Sequence, residues 1–94
     1  MTQAQKELLD LLGHEYHMEV VDFEQCICRD VGNYSIEISG TASRNRPYNV
    51  YLWERLPDGG FKGIVESFLG IKYDGVLVAT LDEIVARITG SLPR

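Results

Sequence analysis

Basic side chains are scarce in this chain of 94 residues: nine Lys and Arg stand against 14 Asp and Glu, a formal charge of −5. Such a surface repels a polyphosphate, which argues against non-specific nucleic-acid binding. There is no apolar run long enough to cross a bilayer, and no basic segment leading into an apolar stretch and a cleavage site at the N-terminus. The expectation is a cytoplasmic protein with no membrane partner. A phosphate-cradling loop is missing, because Gly59-Gly60 is followed by neither a P-loop lysine nor its Ser/Thr. Nor do a nucleophile, a base and a charge stabiliser converge. Ser35 and Ser39 lie on an alternating strand, and Glu15, Glu19, Asp22 and Glu24 read as the wet side of a strand rather than as paired catalytic carboxylates. The chain is therefore read as non-enzymatic, with no cofactor implied and no internal repeat, low-complexity tract or second domain.

Cysteine is sparse too. Cys26 and Cys28, with His14 and His17, are the only plausible metal ligands, and alternate positions on a strand point both sulfurs to one face. Zinc sites draw their pairs from Cys-x₂₋₄-Cys on tight knuckles, so a strand Cys-x-Cys is a poor match. The Cα atoms of alternate strand residues lie about 7 Å apart, at the edge of disulfide geometry. The simplest reading is two small side chains packing on a sheet, with a small metal-binding protein as a minor alternative.

What the chain does have is apolar content of 45% with 24% charged residues, the balance of a folded protein. Its length fits one α+β domain over residues 1–94. The charge is lopsided. Eight acids between Glu7 and Glu37 face Arg29 alone, whereas Arg44, Arg46, Arg55 and Lys62 outnumber Glu54 and Asp58 further on. An acidic half of this kind attracts a basic protein.

Thr2 caps a predicted helix over residues 3–12, with Ala4, Leu8, Leu11 and Leu12 on its apolar stripe, Gln5, Lys6 and Asp10 in water, and Gly13 at its end. Residues 15–29 alternate as one strand, with a parity slip between Val20 and Val21 that reads as a bulge. Val31-Gly32-Asn33 is a turn, followed by a strand with Tyr34, Ile36 and Ile38 inward and Glu37 in solvent. Residues 40–47 form a mobile loop and residues 70–75 an irregular link. Thr80-Leu81-Asp82-Glu83 has the form of a capping box opening a last helix, which buries Leu81, Ile84, Val85 and Ile88 and stops at Gly90 and Pro93.

Between the loop and the link, residues 47–69 read as a β-hairpin turning at Asp58-Gly59. That register opposes Leu56 to Phe61, Leu52 to Val65 and Trp53 to Ile64. One face then carries Tyr48, Val50, Leu52, Leu56, Phe61, Val65 and Leu69, and the other Tyr51, Trp53, Ile64 and Phe68, edged by Arg55 and Lys62. Residues 61–69 also fit helical spacing, but Gly59, Gly60, Gly63 and Gly70 oppose it. The expected fold is a two-layer sandwich: helix, four-stranded antiparallel sheet, helix, with both helices on one sheet face.

A hairpin apolar on both sides must be covered twice or must offer one side to a partner. Tyr51, Trp53, Arg55, Lys62, Ile64 and Phe68 are the candidate binding residues, since Trp, Tyr and Arg dominate interface energetics. The first expectation is a small acidic interaction module, such as an inhibitor, immunity-type or adaptor protein, that binds another protein or itself. RNA binding is a second, because the layout resembles that of double-stranded RNA-binding domains, although Asp82 and Glu83 stand where those carry lysines. A structural homodimer is a third.

Overall fold

The computed structural model describes residues 1–90. Helix α1 (Gln3–Leu12) precedes strands β1 (His17–Val21), β2 (Glu24–Val31), β3 (Tyr34–Ser39), β4 (Tyr48–Arg55) and β5 (Phe61–Ile71), and helix α2 (Asp74–Thr89) follows. The sheet has five strands rather than the expected four, in the order β1-β2-β3-β4-β5, every neighbouring pair antiparallel. The extra strand comes from residues 15–29. Asp22 and Phe23 both adopt positive φ, +49° and +67°, the backbone of a two-residue turn whose twist matches its flanking strands. Met18 thus pairs with Ile27 and Val20 with Gln25. The parity slip marks a chain reversal, not a bulge.

One face of the sheet holds the core. Pairing aligns Ile27, Ile38, Val50 and Phe68 in one row and Ile36 with Leu52 in the next. Leu8 of α1 and Leu77, Leu81 and Ile84 of α2 join the same buried cluster, so both helices lie on this face. Removing any one of these side chains to alanine is the kind of change that costs about 2–5 kcal/mol.

Helix α1 starts where Thr2 and Gln5 reciprocate: Gln5 N donates to Thr2 Oγ1 at 3.1 Å and Thr2 N to Gln5 Oε1 at 2.9 Å. Gln5 is not in water as expected. It is 1% exposed, and its Nε2 donates to the Gln25 carbonyl and to Thr41 Oγ1, both at 3.2 Å. Three satisfied bonds let an amide replace a leucine at the helix–sheet seam, and Leu11 is left exposed.

Helix α2 begins six residues before the expected capping box, at Asp74 rather than Thr80. The Thr80 hydroxyl instead bonds back to the Val76 carbonyl at 2.8 Å inside the helix, the usual fate of a mid-helix threonine. Gly90 ends the helix in the left-handed region, φ +71°. Pro93, the second stop signal, lies outside the described residues. Residues 40–47 are tied down by Arg44, which bonds Glu7 at 2.7 Å and Asp74 at 3.4 Å.

In the β4–β5 hairpin Trp53 opposes Ile64, as expected. Elsewhere β5 departs from that register: the ladder shifts three times, leaving β5 with extra residues around Lys62, Val65 and Leu69. Leu52 consequently meets Glu66, Phe68 meets Val50 on the helix-covered face, and Phe61 sits opposite Arg55. Each bulge reverses the inside–outside parity that simple alternation assigns. No helix among the described residues is long and apolar enough to cross a membrane.

Candidate interaction surface

The second sheet face is assembled by the same pairing. Opposed residues place Cys28, Glu37 and Tyr51 in one row across β2, β3 and β4, and Asp30, Ser35, Trp53 and Ile64 in the next, across β2 to β5. Glu37 is its centre. Trp53 Nε1 donates to Glu37 Oε1 at 2.9 Å, and the Cys26 thiol points at Oε2 from 4.0 Å. Phe61 packs against Trp53 with ring centres 5.6 Å apart and planes tilted by 60°.

Part of this face lines an open cavity of about 360 Å³. Glu19, Val20, Val21 and Asp22, from β1 and its turn, line one side. Trp53 and Phe61 line the other, with Cys28, Ser35 and Glu37 between. Beside it Phe23, at the turn, is fully exposed. A phenylalanine held at positive φ and in open solvent is costly on both counts.

The electrostatics are one-sided. Burial pushes the Glu37 carboxyl above its usual range; the Trp53 bond pulls it down, and Asp22, Glu24 and Glu19 push it further up. Burial, followed by the Glu37 charge, raises the Cys26 thiol to about 12. Cys28 is raised too, by burial and then by Glu19. Both therefore stay protonated near neutral pH, whereas a cysteine attacks as its thiolate. The basic groups of this face are already engaged, Arg55 with Asp30 at 3.7 Å and His17 with Glu19 at 3.3 Å.

Of the residues singled out by sequence, Tyr51, Trp53, Arg55 and Ile64 come together on this face. Lys62 sits at a bulge and pairs with Glu54 at 3.8 Å. Phe68 lies on the opposite face, packed against the core. Cys26 and Cys28 share the open face as free thiols, while His14 is out in solvent beside Glu15. Among the described residues no group of three or more His, Cys, Asp or Glu is arranged to hold a metal ion. Sequence reasoning missed Phe61, Glu37, Ser35 and the β1 turn. Strand parity held a signal for Glu37 and Ser35, since pairing β3 with β4 sets them beside Tyr51 and Trp53. Compared with protein-family models, curated proteins and solved structures, the chain matches none.

Proposed function

We propose that this chain is a small acidic protein-interaction module without catalytic activity, which docks a partner on the sheet face opposite its helices. The observation that carries the reading is the placement of both helices on one face, which leaves Trp53, Tyr51, Phe61 and Ile64 on the other. Ile64 keeps 49% of its surface exposed. Contiguous aromatic and aliphatic surface of this kind marks association sites in small proteins. A binding role also suits protonated thiols with no hydrogen bond to a histidine among the described residues. RNA as the partner is opposed by Glu19, Asp22, Glu24 and Glu37 around the same surface.

The test is retention from an extract of the source cells on immobilised wild-type protein and on its Trp53→Ala variant. A protein held by the first and lost by the second supports the reading; identical retention, or none, removes it.

A second reading, self-association through β5, is favoured by the exposed apolar edge of Phe61, Val65 and Leu69. The bulges interrupt continuous backbone pairing, so contact would be made by side chains. Sedimentation equilibrium checks it: a dimer that dissociates on Val65→Lys with Leu69→Lys supports it, and a wild-type monomer discards it.

A further inference from the structure

We infer that the cavity between the β1 turn and Trp53 is an arginine-binding pocket, which takes the guanidinium of one anchoring side chain from a basic partner segment. The inference rests on the docking role proposed above and specifies what the surface recognises. Its walls differ in character. Trp53 and Phe61 supply aromatic surface on one side, and Glu19 and Asp22 supply carboxylates on the other, with Glu37 between them. A planar cation that stacks on a ring while donating along its edge to carboxylates satisfies both walls, and guanidinium is the side-chain group with that shape.

Three observations point to a cationic occupant. Glu37 and Asp22 have no cationic partner among the described residues, because Arg55 and His17 on this face are held by Asp30 and Glu19. The Glu37 carboxylate keeps acceptor capacity after receiving the Trp53 indole N–H. Ser35, 5% exposed and lining the cavity, has a hydroxyl with no hydrogen-bond partner among the described residues. A cavity-lining hydroxyl on a residue that is otherwise covered is a ready acceptor for a second guanidinium N–H. The volume, about 360 Å³, is at the small end of ligand sites and accommodates one side chain.

Trp53 is the sole tryptophan and so reports on the pocket by itself. The experiment titrates N-acetyl-arginine methylamide into the full chain at low ionic strength and follows Trp53 emission and its indole N–H resonance. Saturable change is expected for arginine, with the neutral citrulline amide silent and the lysine amide weaker. Glu37→Gln should weaken the arginine response about tenfold, the loss expected on removing a charge-assisted hydrogen bond. Asp22→Asn, at an exposed turn that suits asparagine, should weaken it as well and covers the case in which the Glu37 variant does not fold. Glu83→Gln, on the exposed side of α2, should leave it unchanged. An equal lysine response, an equal loss from Glu83→Gln, or no saturable change overturns the assignment. The two proposals fail separately. A protein lost on Trp53→Ala without any arginine response discards only the pocket's ligand, whereas an arginine response with no protein retained discards only the docking role.

Discussion

Glu37 is a residue whose charge the fold holds at a cost. Its folded-state pKa is raised, chiefly by burial, so the folded protein holds that proton more tightly than the unfolded chain does. The stability this contributes is fully present below the unfolded carboxyl pKa and is lost as pH rises through the folded one. Glu37→Gln keeps an acceptor for Trp53 Nε1 and removes the charge. Its urea midpoint should exceed wild type at pH 7, with the gap closing as pH falls towards 4, and a variant less stable than wild type at pH 7 would contradict this. Stabilisation together with lost arginine binding is the signature of a residue kept for function. Phe23 also carries a cost, in its backbone. Phe23→Gly relieves a left-handed side chain and should stabilise by about 1 kcal/mol in urea unfolding. Gly40 is the converse case: with φ +75°, a Cβ there would overlap the Pro47 carbonyl oxygen. Gly40→Ala should therefore cost more than about 2 kcal/mol by the same measurement.

At the scale of elements, α1 is fastened to the sheet through Gln5 as well as Leu8. Gln5→Ala removes the acceptor of the Thr2 N–H, one of the two capping-box bonds, and leaves Thr41 and the Gln25 carbonyl short of a donor. The expected loss is about 1–3 kcal/mol, with faster hydrogen exchange in α1 than in β3 or β4. Unchanged exchange in α1 would show that Leu8, Leu9 and Leu12 hold the helix without Gln5. The limits of α1 were legible because Thr2 and Gly13 act locally, through a hydroxyl and a permissive backbone. The start of α2 was not, since Tyr73 makes no side-chain cap bond and Thr80 hides its hydroxyl inside the helix. The β1–β2 turn was missed because Asp-Phe occupies a backbone shape that Asn-Gly normally announces. The three bulges of β5 were not read from the sequence, which is why Phe61 and Phe68 exchanged faces while Trp53 and Ile64 kept theirs.

On the scale of the whole molecule, a single sheet serves two purposes. Its helix-covered face is closed by Leu8, Leu77, Leu81 and Ile84, and the other carries Trp53 and Glu37 at the edge of an acidic cavity. Residues 48–54 are apolar on both parities, a pattern that calls for cover on both sides or for a partner on one. The acidic cavity was not legible, since it depends on residues brought together from β1, β3 and β5. Neighbouring residues of β4 separate the two faces cleanly. In equilibrium urea unfolding, Leu52→Ala should cost about 2–5 kcal/mol as a core truncation, whereas Trp53→Ala, despite removing the larger side chain, should cost less than Leu52→Ala. A Trp53→Ala loss equal to or greater than that of Leu52→Ala would place the indole in the core and contradict a second face left free for a partner.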